Sequence, residues 1–170
     1  VTRPFRVEAL GRHDRQSFDC GVEPLNRYLH QQVGQDIRRR VTACFILIDN
    51  ETERIAGYYT LAAGSVLLEE LPEATARKLP RYPRVPVVRI GRLAVDHRYQ
   101  GRKLGGVLLF DALKRSMDAE IAAFAAVVDA KDDRAVAFYE HHGFLSFAGN
   151  EKMLFLPFSE AHKRLGSKPK

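Results

Sequence analysis

A mixed α/β domain is the fold class this chain predicts, and three observations point to it. Segments with β-branched or alternating apolar residues are interleaved with segments whose apolar residues recur every three to four positions, in the order β, α, β, β, α, β, α, β, α, β, β. An antiparallel start joined to a central β-α-β unit calls for a mixed sheet of six to seven strands flanked by helices. The length of 170 residues, with 45% hydrophobic and 28% charged residues, suits one domain spanning 1–170. The same composition excludes extended disorder, collagen and coiled coil.

The elements follow in order. Pro4 to Leu10 is a short extended segment, and the polar run from Gly11 to Cys20 is a loop. Leu25, Tyr28, Leu29, Val33 and Ile37 form a helical stripe, with Pro24 suited to its first turn and Arg38, Arg39 and Arg40 closing it. Val41 to Ile48 and Ile55 to Ala63 are strands joined by the polar turn Asp49 to Arg54. Glu73 to Leu79 is a short helix; Pro80, Pro83 and Pro86 then punctuate a loop before the strand Val87 to Val95. The run Gln100-Gly-Arg-Lys-Leu-Gly-Gly106 leads into a second long helix with Leu109, Ala112, Leu113, Ser116 and Met117 on one face. Ala123 to Val128 is a buried strand. Asp132 or Asp133 caps a helix running to Glu140, which Gly143 terminates. Phe144 to Phe147 and Lys152 to Phe155 are strands joined through Gly149-Asn150, and a basic, frayed tail runs from Ala161 to Lys170.

The 27 Lys and Arg exceed the 21 Asp and Glu, so a net charge of +6 favours polyanionic ligands: nucleic acid, CoA-like phosphates or an acidic protein. Cys20 and Cys44 are the two cysteines, without CxxC spacing, so no disulfide framework or zinc site is expected. The six His show no metal-ligand spacing, and His141-His142 read as helix-end residues, so no metal is expected. The most apolar stretch, Ile121 to Val128, is far short of the roughly 20 residues a membrane span needs, and the N-terminus is charged. A cytoplasmic protein without membrane partners is the expectation.

The most informative local feature is the strand-turn-helix junction from Val95 to Gly106. Successive backbone N–H groups and a helix N-terminus make an anion site there, which Gly101, Gly105 and Gly106 let a pyrophosphate approach closely. GxxxxGK[ST] and GxGxxG are both absent, so neither a P-loop nor a dinucleotide fingerprint is present, and an ordinary Gly-rich loop is the competing reading.

Together, Arg92-Leu-Ala-Val95, the turn Gln100 to Gly105, and Ala135-Val-Ala-Phe-Tyr139 followed by Gly143-Phe144 resemble the acetyl-CoA-binding core of the GCN5-related N-acetyltransferases, over about residues 40–156. Phe18-Asp-Cys-Gly-Val22, Pro24-Leu-Asn26, Gly57-Tyr-Tyr-Thr-Leu61, Pro80-Arg-Tyr-Pro83 and Val128-Asp-Ala-Lys131 are similar to the subfamily of acetyltransferase toxins that acetylate aminoacyl-tRNA and are neutralised by a small DNA-binding antitoxin of the ribbon-helix-helix type. The resemblance implies acetyl-CoA as cofactor, aminoacyl-tRNA and the antitoxin as partners, and leaves a homodimer open. It implies that Leu93, Ala94 and Val95 present backbone groups to the pantetheine arm where the fourth and fifth strands splay. By the same resemblance Gln100, Gly101, Arg102, Lys103, Leu104, Gly105 and Gly106 hold the pyrophosphate, and Asp132, Ala135 and Phe138 complete the cofactor side. Tyr139 becomes the acid that protonates the departing thiolate, since a hydroxyl near pKa 10 can donate to a thiolate whose acid lies near 8.5. The competing reading of Tyr139 is a core aromatic with a satisfied hydroxyl.

One departure from the family pattern matters: Lys103 stands where the turn carries its first Gly, so it adopts an allowed dihedral or changes how phosphates are held, its ammonium compensating. Asp132 stands where many relatives carry Asn. From Val85 to Val95 there is no Asp or Glu, which disfavours a lysine acceptor needing a base and favours an α-amine, already partly neutral at pH 7. Arg77, Lys78, Arg81, Arg84, Arg89 and Arg92, followed by Arg98, Arg102 and Lys103, face one acid in sequence, Asp96; with Arg38, Arg39 and Arg40 they suit a phosphate backbone, and Tyr82 among them could stack on a base. A solvated basic face is the competing reading. The function expected is acetyl-CoA-dependent acetylation of aminoacyl-tRNA; acetylation of a protein N-terminus or small amine, and a non-catalytic binding protein, are the alternatives.

Overall fold

The computed structural model describes residues 3–166. Its strands form one seven-stranded mixed sheet in the order β1-β2-β3-β4-β5-β7-β6, where β1 is Phe5–Ala9, β2 Ala43–Asp49, β3 Ile55–Leu67, β4 Arg84–Val95, β5 Ala125–Asp129, β6 Leu145–Phe147 and β7 Asn150–Pro157. The expected sheet of six to seven strands flanked by helices is thus present. Among the described residues two compact units can be distinguished, residues 3–62 with 90–112, and residues 63–89 with 113–166.

In the first unit, β1 and β3 run antiparallel to β2 on either side, with Val7 opposite Leu47 and Cys44 opposite Thr60. Cys44, Ile46 and Ile48 alternate along β2 toward a core built with Phe18, Tyr28, Leu29, Val33 and Tyr58. The helix over this core is α1 (Glu23–Arg27), a π-helical segment Tyr28–Gln32, and α2 (Val33–Arg38). Its apolar stripe explains the π turn. From Leu25 to Ile37 is twelve residues, which at roughly 100° each overshoots three turns by about 120°; an extra residue in the middle turn brings the stripe back onto one face. Periodicity alone marked a helix here without distinguishing its winding.

Gly57 of β3 marks a close approach in this unit. A Cβ there would stand 2.9 Å from Ala94 O on β4 and 2.9 Å from Leu108 Cδ1 on α4 (Leu104–Asp118). The carbonyl cannot swing away without disturbing β4, so Gly57→Ala is expected to cost about 1–3 kcal/mol through overpacking. Urea denaturation with an unchanged m-value would measure this.

In the second unit, β7 pairs antiparallel with both β5 and β6, with Val127 opposite Phe155 and Leu145 also opposite Phe155. Val127, Phe147 and Phe155 pack with Val66, Leu71, Val85, Val87 and Ala125. Ala125 to Val128 are all buried, as a strand covered on both faces requires.

Three expectations need correction. Pro86 lies within β4, which starts at Arg84, not Val87; it sits near the beginning of the strand, where its missing N–H is tolerated and its carbonyl accepts from Phe124 N–H at 2.8 Å. The short helix after the first hairpin, α3, ends at Ala76 and not at Leu79. The segment from Phe158 is not a frayed tail: Phe158–Gly166 is a helix, α6, anchored by the buried Ala161, and 167–170 lie outside the described residues.

Candidate active site

In the first unit, β4 delivers the residues expected to meet the pantetheine arm: Ala94 is buried, and Leu93 and Val95 are half-buried. The chain then makes a 3-10 turn, His97–Tyr99, capped by Asp96, whose carboxylate accepts from Arg98 N–H at 2.9 Å. Asp96 is fully buried, and its second oxygen accepts from Asp19 N–H at 3.0 Å. Tyr99, also buried, donates its hydroxyl to Asp49 at 2.6 Å. Gln100 turns its side-chain amide inward, Nε2 donating to Val95 O at 3.0 Å and Cys20 O at 3.1 Å.

Gly101, Arg102 and Lys103 are exposed. Arg102 lies 5.7 Å from the ring centroids of both Phe5 and Tyr99. Lys103 has φ +60°, the left-handed conformation that glycine adopts without penalty. The turn therefore keeps its shape with Lys at this position, at a cost of about 1–2 kcal/mol, and it adds an ammonium without an ion-pair partner among the described residues. Leu104 is buried and begins α4, a helix of 15 residues in whose first turn Gly105 and Gly106 are half-buried. The first four N–H groups of such a helix have no intrahelical acceptor, and its dipole favours an anion there.

In the second unit, Asp132 adopts an extended backbone and accepts from Ala135 N–H at 2.8 Å, capping α5 (Asp133–His141) as expected. Gly143, at φ +93°, ends that helix, and Phe144 N–H closes on Tyr139 O at 3.1 Å. Ala135 and Phe138 are half-buried on α5. Tyr139 is buried, its ring edge-on to Phe138 at 5.1 Å and tilted against Phe144 at 5.3 Å. Its hydroxyl has no hydrogen-bond partner among the described residues. Burial alone pushes the Tyr139 hydroxyl up to about 12, so it stays protonated through the physiological range. His142 at the end of α5 packs on Phe138 at 4.9 Å; burial first, then His141 and Arg164, lower its pKa.

The basic residues divide by environment. Arg38, Arg39 and Arg40 lie at the C-terminal end of α2, all three exposed, with no carboxylate partner among the described residues, a place the helix dipole favours for cations. Arg92 is not a free surface cation: its guanidinium lies 3.4 Å from the centroid of the Tyr28 ring. In the second unit Lys78, Arg81 and Arg84 are exposed, Arg84 donating to Ser65 Oγ at 3.2 Å, and Tyr82 is 70% exposed. Arg77 pairs loosely with Glu73 at 3.7 Å, and Arg89 pairs with Asp129 at 2.7 Å, so acids outside the basic run supply partners that the run itself lacks. Sequence reasoning assigned no role to Asp19, Asn26 or Asp96. The signal was the Phe18-Asp-Cys-Gly motif and a lone acid ending a strand.

Cys20 and Cys44 are buried and not joined in a disulfide, and burial pushes the Cys44 thiol up to about 12. Among the described residues no group of three or more His, Cys, Asp or Glu could hold a metal ion, and no helix is long and apolar enough to cross a membrane.

The sequence model of the acetyltransferase (GNAT) family matches residues 9–144. The chain belongs to the GNAT acetyltransferases. It is 35% identical over 155 residues to the tRNA-acetylating toxin of Mycobacterium tuberculosis, covering 90% of this chain and 91% of that one. Among solved structures, AtaT complexed with acetyl-methionyl-tRNAfMet superposes with a TM-score of 0.87 at 30% identity, over 95% of this chain and 99% of AtaT. A tyrosine-to-phenylalanine mutant of AtaT, bound to the C-terminus of the antitoxin AtaR and acetyl-CoA, superposes with a TM-score of 0.80 at 28% identity, over 98% and 100%. The strand-turn-helix unit at residues 95–106 lies within the span that the family model matches.

Proposed function

We propose that this acetyltransferase transfers the acetyl group of acetyl-CoA to the α-amine of aminoacyl-tRNA, acting as a cytoplasmic toxin on translation that a small ribbon-helix-helix antitoxin neutralises. One N-acetyltransferase domain carries the activity, with its acetyl-CoA core over about 40–156. The observation that carries the reading is the hydroxyl of the buried Tyr139, which has no protein acceptor among the described residues. A buried tyrosine ordinarily finds a protein partner for its hydroxyl, and one whose hydroxyl bonds none keeps its proton free to be donated. Among the described residues the buried side-chain polar atom left without a partner is Thr60 Oγ1, so the Tyr139 hydroxyl, unbonded to protein, keeps a water-accessible edge and is open to an acceptor that arrives with the substrate.

The residues present fit acetyl-CoA. The backbone of Gln100 to Gly106 and the start of α4 offer unpartnered donors to a pyrophosphate, Lys103 adds a positive charge, and Leu93 to Val95 offer strand backbone to the pantetheine amides. Acetyl-CoA supplies an acetyl thioester. Tyr139 donates its proton toward sulfur as the carbon–sulfur bond breaks and the amine nitrogen bonds the acetyl carbon; the nitrogen releases one proton, by way of water, and the tyrosinate takes one back, so CoA leaves as the thiol and Tyr139 is restored. With a donor near 12 and a thiol near 8.5, complete transfer in the ground state is uphill by about 5 kcal/mol, so the donor acts on charge as it develops. The amine arrives neutral without a carboxylate on β4 to deprotonate it, which suits an aminoacyl ester. Arg38, Arg39 and Arg40, and separately Lys78, Arg81 and Arg84, are the cations for tRNA phosphates. The tRNA-acetylating relative and the tRNA-bound AtaT structure support this substrate class.

Incubation with labelled acetyl-CoA and total aminoacylated tRNA tests the proposal: label is expected on the aminoacyl group, and label confined to protein would exclude the substrate. The cofactor half has its own probe. Gly105→Glu places a carboxylate in the first turn of α4, where the dipole tolerates it for folding but phosphates would be repelled. Acetyl-CoA affinity is expected to fall at least tenfold with the melting temperature kept, measured by calorimetry and thermal denaturation.

A further inference from the structure

The turn that presents Gly101, Arg102 and Lys103 has little support of its own. These residues are exposed, a Cβ at Gly101 would meet nothing within 4 Å, and the N–H groups of Arg102 and Lys103 make no hydrogen bond to described residues. What holds the turn lies at its root, residues 96–100, and the bonds there come from a segment nearly eighty positions away. Asp19 N–H donates to the fully buried Asp96 carboxylate at 3.0 Å. His97 N–H donates to Asp19 O at 2.8 Å, and His97 Nδ1 donates to the same oxygen at 2.8 Å. Gln100 Nε2 donates to Cys20 O at 3.1 Å.

The 19–20 segment is itself held by side chains. Asn26, buried at the start of the helix, accepts from Cys20 N–H at 2.8 Å and donates to Asp19 Oδ1 at 2.8 Å, and Gly21 N–H donates to the same Asp19 oxygen at 2.9 Å. A continuous set of hydrogen bonds thus runs from Asn26 through Asp19 and Cys20 to Asp96, His97 and Gln100. Where donors must meet a ligand's charge, their value depends on being fixed beforehand, and groups that fix them contribute to affinity without touching the ligand.

We propose that Asp19, Asn26 and Asp96 are positioning residues for the acetyl-CoA pyrophosphate turn: the clamp they form holds the backbone at residues 96–100, and with it the donors that follow. The inference rests on the acetyl-CoA reading above. It assigns a role to the Phe18-Asp-Cys-Gly motif, which contributes no residue to the expected cofactor set.

Asp19 separates the clamp from a mere packing role, because both of its side-chain bonds use one oxygen, Oδ1, as acceptor. An asparagine can keep that acceptor while losing the charge. Asp19→Ala is expected to weaken acetyl-CoA binding about tenfold and raise its KM by the same factor, with the KM for aminoacyl-tRNA within about twofold; Asp19→Asn is expected to restore acetyl-CoA affinity to within about twofold of wild type. Calorimetry with acetyl-CoA, steady-state kinetics in both substrates and thermal denaturation are measured on the full chain. A lower melting temperature with unchanged acetyl-CoA affinity would overturn the proposal, as would equal losses for both substrates. Should Asp19→Ala fail to fold, Gln100→Ala, which removes the exposed residue's two inward bonds, carries the same expectation for acetyl-CoA and the same overturning result. Wild type is titrated alongside: if it binds acetyl-CoA and the variants bind equally well, the clamp is refuted while the cofactor reading stands, whereas absence of binding by wild type refutes the cofactor reading itself and the clamp with it.

Discussion

Tyr139→Phe is expected to lower turnover by about 10²–10⁴, the range for loss of a general acid, with acetyl-CoA affinity within about twofold of wild type. The substitution keeps the ring packing on Phe138 and Phe144 and removes a hydroxyl that bonds none of the described residues, so stability is expected to hold or rise slightly. Unchanged turnover would remove Tyr139 from the mechanism. The pH dependence provides a second check. Burial raises the hydroxyl to about 12, so the donor is loaded at every pH below that and is lost only as pH rises through it. The rate should therefore climb with pH as the acceptor amine, near 7.7–8.0 or lower in an ester, loses its proton, and then stay level to about pH 11. A falling limb near pH 8–9 would assign the acid to a different group.

Reversing Arg38, Arg39 and Arg40 together to Glu is expected to produce the largest effect on tRNA. Withdrawing one cation from a phosphate lowers the slope of log affinity against log salt by roughly 0.7–0.9, so withdrawing all three would take about 2–3 from the slope and about 10²-fold from affinity near 0.15 M salt. The three side chains have no carboxylate partners among the described residues, so replacing them breaks no ion pair there. Acetyl-CoA affinity should be kept. Filter binding of tRNA across a salt series measures both quantities. Normal tRNA binding combined with escape from the antitoxin would assign these arginines to inhibition and move the tRNA surface to Lys78, Arg81 and Arg84.

How much of this was legible along the chain depended on the range of the forces involved. Helix and strand positions follow from local periodicity and turn chemistry, and so did the cap at Asp132, the terminator at Gly143 and the arginines ending α2. The π turn at Tyr28–Gln32 did not, because the same stripe fits two windings until the sheet beneath chooses one. Pro86 was read as excluding a strand because its missing N–H is costly only if the neighbouring strand needs it, and the neighbour's extent is not a local property. The helix Phe158–Gly166 was missed because a basic segment looks solvated until a core receives its one apolar face through Ala161.

For the site, the proposed roles of the turn at residues 100–106 and of Tyr139 rest on motif and family likeness, which a sequence carries in residues close along the chain. The state of each polar group was a different matter. Whether the Tyr139 hydroxyl is satisfied, whether Arg89 and Arg92 are free, and which donors the Asp96 carboxylate receives depend on groups brought close by folding: Asp129 lies 40 positions from Arg89, Tyr28 lies in the N-terminal helix below Arg92, and Asp19 lies 77 positions from Asp96. A sequence states which groups can donate, accept or carry charge. Pairing is decided by proximity within about 3 Å and by exclusion of water, and both exist only once the chain has folded.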